Sequence, residues 1–149
     1  MIKNLLDWFN QNEPEADTHI PTNLAAAALM VEVMAADDDW QQQEEETIKT
    51  LLSDSLNIAA DQIEQLIKQA KDHHLEANDL YELTKRINDQ YSEADKFQLV
   101  YHMWQVAFAD GDLDRYEDYT IRKISELLYL PHNQFIKAKL QADPNHGEL

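Results

Sequence analysis

The chain has 149 residues, 44% of them hydrophobic and 28% charged, with a net charge of −17 and no cysteine. That composition belongs to a globular domain rather than a disordered segment, and the length suits a single domain, 1–149. The acidity excludes phosphate backbones and anionic bilayers as partners, and the lack of cysteine excludes disulfides and thiolate metal sites.

Glycine and proline together number only six, and no useful stretch alternates polar with apolar residues, so helix is predicted throughout. The fold class expected is all-α: a compact bundle of about seven or eight helices. The first helix, about 2–11, carries Leu5, Leu6, Trp8 and Phe9, which pack on the core or make a weak peripheral membrane contact. It has neither the basic flank nor the long apolar run of a signal peptide. After the proline-containing loop "NEPEADTHIPT", Thr22 or Asn23 caps the apolar helix 24–36, "LAAAALMVEVMAA". Its alanine content implies burial on several sides. Asp37 to Asp39 interrupt the chain, and the next helix, about 41–56, places Ile48, Leu51, Leu52 and Leu56 on one face. Helices follow at about 61–74, with Ile63, Leu66 and Ile67, and at about 76–90, with Leu80, Leu83 and Ile87. Ser92 stands three residues before Asp95 and starts the helix 93–109 with a capping box. "DGD" breaks that helix, and helices at about 114–129 and 131–141 complete the domain, Pro131 entering the first turn of the last one. The core of the domain spans about 22–142; the first helix and the tail are peripheral.

A repeat runs through this plan, offset by 73 residues. "VMAADDDWQQQEEETIKTL" (33–51) answers to "VAFADGDLDRYEDYTIRKI" (106–124). Val33, Ala36, Asp37, Asp39, Glu44, Thr47 and Ile48 recur as Val106, Ala109, Asp110, Asp112, Glu117, Thr120 and Ile121. Further on, "LNIAADQI" answers to "LYLPHNQF" after a slip of one residue. Both copies read helix, acidic turn, helix, turn, helix, which implies an internal pseudo-two-fold.

The acidic turns admit two readings. A helix–loop–helix calcium loop needs glycine at position 6 and glutamate at position 12. Counted from Asp110 those positions hold Arg115 and Ile121, so the turns are not calcium loops of that kind. In the structural reading Gly111 ends one helix, and Asp114 caps the next with Glu117 three residues on. In the functional reading Asp37, Asp39 and Glu44, and then Asp110, Asp112 and Glu117, gather around two points. Aspartates at a helix C-terminus are disfavoured by the dipole, by about 0.3–1 kcal/mol each, and a hard divalent cation, Ca²⁺ or Mg²⁺, relieves their repulsion.

Other chemistry finds little support. The six histidines show no Glu-x-x-His pair on facing helices and are surface or boundary residues, with His102 semi-buried beside Tyr101 and Trp104. No nucleophile elbow and no phosphate loop is present. Tyr101, Trp104, Phe108, Tyr116 and Tyr119 form an aromatic set near the second turn, with Tyr116 and Tyr119 on its exposed side.

The two turns, "AADDDWQQQEE" and "FADGDLDRYED", resemble the Ala-Asp-Gly…Glu motif of the TerB family of all-helical, tellurite-resistance-associated proteins. The resemblance covers about 22–142. The first copy departs from the motif with Asp38 in place of glycine and Gln41 in place of a good cap. The resemblance implies a non-enzymatic module with two acidic clusters, tied to tellurite and stress response, that binds metal cations or a protein partner. The expectation is therefore a cytoplasmic, cation-binding and partner-binding helical module. Its alternatives are a metal-dependent hydrolase using the same carboxylates and a metal-free interaction domain of co-chaperone type.

Overall fold

The computed structural model describes residues 22–35, 42–55, 58–72, 77–109 and 115–143. Within them the chain forms seven helices: α1 (Thr22–Ala35), α2 (Gln42–Ser55), α3 (Ala60–Asp72), α4 (Ala77–Gln90), α5 (Glu93–Ala107), α6 (Arg115–Leu127) and α7 (His132–Ala142). No strand occurs among the described residues. The expected first helix, about 2–11, lies outside them.

α1 is the axis of the bundle. Ala25 to Val31, Val33 and Met34 are each at most 1% exposed, and Glu32 only 9%. A helix with no polar stripe can be stable only when covered all round. The run of four alanines lets neighbouring backbones approach closely, and α1 packs against α2, α3, α4, α5 and α6. It begins at Thr22, so the residue expected as its cap is already helical.

The surrounding helices are amphipathic. α3 turns Ile63, Leu66 and Ile67 inward, the i, i+3, i+4 spacing of one helical face. α4 buries Leu80, Leu83 and Ile87 together with Thr84, whose hydroxyl donates to the carbonyl of Leu80 at 2.8 Å and so remains satisfied. α5 opens with the capping box expected from its sequence. Ser92 Oγ accepts from the backbone of Asp95 at 3.1 Å, and the Asp95 carboxylate accepts from the backbone of Ser92 at 3.3 Å. α6 ends two residues earlier than its sequence suggests. Leu130 N–H donates to Ser125 and Tyr129 N–H to Glu126, both at 3.1 Å, and Tyr129 takes φ 57°. This is a Schellman ending in which a tyrosine occupies the left-handed position that usually falls to glycine. The Asn88 side chain of α4 donates to the carbonyl of Leu127 at 3.0 Å, which satisfies one more acceptor at that end.

Some of the helix contacts pair off, while those of α4 with α1 and α6 stand outside that pairing. α1 meets α2 and α3 as α5 meets α6 and α7, and α1 meets α6 as α5 meets α2. α1 also meets α5 directly. α2 and α6 begin 73 residues apart, the offset of the sequence repeat, and α3 and α7 begin 72 apart, with the one-residue slip read above.

Candidate functional site

Two connections join a buried helix to an amphipathic one: α1 to α2, and α5 to α6. Asp37, Asp39, Asp110 and Asp112 fall in these connections and lie outside the described residues, as do Gly111 and Asp114. Glu44 and Glu117 are each the third residue of the helix that follows, α2 and α6 respectively. That is the placement their common spacing predicts. Glu117 is 1% exposed. A carboxylate so buried is costly unless its charge is met, and the first turn of a helix, with its unpaired N–H groups, favours an anion. Among the described residues no three His, Cys, Asp or Glu side chains converge as a metal site.

Two more acids, Glu32 and Asp79, are buried. Glu32 sits in the last turn of α1, and α1 packs against α6, the helix that carries Glu117. Asp79 lies in the first turn of α4 and is 4% exposed. A signal for Glu32 was present in its setting: it is the single charge in an apolar run too continuous to offer it a solvent face.

The aromatic set divides by depth. Trp104 is fully buried, its ring 6.0 Å from Phe108 and 5.4 Å from Phe135 between centroids. Lys139 Nζ stands 5.0 Å from the Trp104 ring and bonds Asp118 at 3.2 Å. Arg122 lies over Phe135 at 5.2 Å and meets the other Asp118 oxygen at 3.6 Å. Asp118 thereby holds two cations against two aromatic faces, and the pairings 118 with 139 and 122 with 135 set α6 and α7 antiparallel. Tyr116 and Tyr119 are exposed, as their positions implied. His102 is a boundary residue: its Nδ1 lies 2.8 Å from Gln105 Oε1, and Gln105 Nε2 donates to the Tyr101 hydroxyl at 3.3 Å. His73 and His74 are outside the described residues.

Two open clefts flank the bundle. One, about 310 Å³, lies between α2 and α3 and is lined by Lys49, Thr50, Ser53, Asp54, Ile63 and Glu64. The other, about 460 Å³, lies between the start of α5 and α7, with Phe97, Glu93, Asp95 and Lys137 in its wall. Neither brings a histidine to a hydroxyl. Among the described residues no helix is long and apolar enough to cross a membrane.

These features define a compact all-α module built around one buried helix, with acidic connections between its helices. The profile of the family described as Tellurite resistance protein TerB matches residues 23–140, and the chain belongs to the TerB family. No curated protein and no solved structure matches it.

Proposed function

We propose that this chain is a non-catalytic, cytoplasmic TerB module that binds a divalent cation, Ca²⁺ or Mg²⁺, at its two acidic connections and acts in tellurite or stress response through a protein partner. The observation that carries the reading is the shared placement of Glu44 and Glu117. Each is the third residue of its helix, 73 residues from the other, with two aspartates of the repeat just upstream. A helix-borne carboxylate leans back toward the turn before it, where Asp37 and Asp39, or Asp110 and Asp112, complete a set of oxygen ligands suited to a hard cation. The matched helix contacts support an internal pseudo-two-fold that makes the two connections equivalent. Family membership supports a binding module rather than an enzyme.

Calorimetry with Ca²⁺, Mg²⁺, Mn²⁺ and Zn²⁺, combined with thermal melts, tests the cation. The wild-type chain gives a binding heat and a cation-dependent rise in Tm, and Asp110→Asn/Glu117→Gln loses most of that increment. Loss of a cap alone lowers stability by about 0.5–2 kcal/mol with or without cation. A wild-type Tm indifferent to all four ions sinks the cation reading.

A further inference from the structure

We propose that the solvent face of α6, with the adjoining side of α7, is a docking surface for an acidic polypeptide segment of another protein that carries aromatic or aliphatic side chains. The inference rests on the partner-binding reading above and gives that partner a surface and a chemistry. Its ground is a reversal of charge. Residues 115–142 hold five of the twelve Lys and Arg but only three of the twenty-nine Asp and Glu, a net of +2 inside a chain of −17. Glu117 is buried, and Asp118 is engaged by Arg122 and Lys139, a pairing that takes up one acid and two cations together. The outward faces of the helices before α6 are more acidic or balanced. α3 shows Asp61 and Glu64 with Lys68, α4 shows Glu82 and Asp89 with Lys85 and Arg86, and α5 shows Glu93 and Asp95 with Lys96.

The positions on α6 converge. Arg115, Tyr119, Arg122 and Glu126 are spaced by four, three and four residues and form one column, with Tyr116 and Lys123 beside it. All are exposed except Lys123, which is half-buried. Tyr116 is 62% and Tyr119 64% exposed, and the pairing of Lys139 with Asp118 brings Leu140, 41% exposed, to the same end of the α6–α7 pair. Large exposed apolar groups are otherwise few: among the described residues only Tyr81 and Tyr129 join them. Tyrosine and arginine are the residue types that anchor interfaces, the one by wide planar contact at low entropic cost, the other by a fork that fits a carboxylate. An acidic segment is repelled by the rest of the molecule and accepted here, so the field that opposes binding elsewhere fixes where and how it docks.

The test titrates the ¹⁵N-labelled full chain with a Glu–Tyr copolymer, in EDTA and again with Ca²⁺ and Mg²⁺, at low and at physiological salt. Polyglutamate and polylysine serve as controls. The copolymer is expected to shift the amides of Tyr116, Tyr119 and Lys123, to bind more weakly as salt rises, and to bind better than polyglutamate. Arg115→Glu/Lys123→Glu should weaken it at least tenfold and Tyr116→Ser/Tyr119→Ser several-fold, with unchanged circular dichroism. The wild-type shift map locates the surface even where a variant folds poorly. Absence of copolymer binding, binding indifferent to the charge reversal, or α6 shifts caused by polylysine overturns the inference. So does concentration-dependent self-association that the same variants abolish, which assigns the face to a second copy. The face uses none of the candidate cation ligands as contacts. Failure of copolymer binding beside intact cation binding sinks the docking surface alone, and the converse sinks the cation reading alone.

Discussion

α1 and α5 each lead into one of the two acidic connections, yet they bury themselves by opposite means. α1 does it with small side chains: Ala25 to Ala28 leave room for five neighbouring helices to close in, and the whole stretch to Met34 is shielded. α5 does it with large ones. Six of its residues are buried, and its centre is filled by Trp104, against which Phe108, Phe135 and the Lys139 ammonium pack. The bundle therefore combines two packing chemistries, close backbone approach at one helix and an aromatic plug at the other. The difference predicts opposite sensitivities: α1 should suffer from added volume and α5 from lost volume.

The largest expected effect is at the plug. Trp104→Ala removes a fully buried ring and should cost about 3–5 kcal/mol by chemical denaturation, a large share of the roughly 5–15 kcal/mol that holds a domain together. A loss below about 1.5 kcal/mol would mean that the neighbouring rings collapse into the gap and that α5 is no more dependent on its large residue than α1. The converse substitution belongs in α1. Ala27→Leu forces extra methylenes into a packed core and should cost about 1–3 kcal/mol, whereas Ala94→Leu at the exposed start of α5 should stay within about 0.5 kcal/mol of the wild type. If Ala27→Leu is as harmless as Ala94→Leu, the alanines of α1 are not the device that lets its neighbours approach. A smaller effect separates the starts of α5 and α7. Ser92→Ala breaks a reciprocal cap and should cost about 1 kcal/mol in the same assay. Pro131, at the start of α7, makes no side-chain cap bond, so Pro131→Ala should lose nothing through capping.

Most of the fold was legible because most of it is decided locally. The continuous apolar run of α1 left no polar face to expose, the spacing of Ile63, Leu66 and Ile67 fixed the inner side of α3, and Ser92 and Asp95 marked a helix start by their own hydrogen bonds. The depth of individual acids was not legible. Glu117 reads as an ordinary first-turn glutamate, and only the packing of α6 against α1 and α5 decides that it is buried. Glu32 is the partial exception, since the apolar run around it announces its burial but names no partner for its charge. Of the candidate site, the spacing correctly put Glu44 and Glu117 early in their helices, while Asp37, Asp39, Asp110 and Asp112 fall outside the described residues. The end of α6 was not legible because it depends on a backbone conformation that its sequence disguises: no glycine stands after Leu128.

That disguised ending gives the smallest effect and the one with the opposite sign. Tyr129 holds φ 57° while its side chain is 77% exposed, so the ring contributes little packing in return for a conformation that disfavours any residue with a Cβ. The left-handed region costs such a residue roughly 1–2 kcal/mol, whereas glycine adopts it freely but loses about 0.5–1 kcal/mol through its larger unfolded-state entropy. Tyr129→Gly should therefore stabilise the chain by about 0.5 kcal/mol, and Tyr129→Asn by less, since asparagine tolerates this region better than tyrosine does. A paired denaturation series with Tyr119→Gly provides the contrast: the same change in the regular helix of α6 should destabilise by about 0.5 kcal/mol. If both glycines destabilise alike, Tyr129 is held by its side chain after all. If they part in sign, the Schellman ending of α6 carries a tyrosine at the expense of stability, as a residue kept for contact with something outside the chain would be.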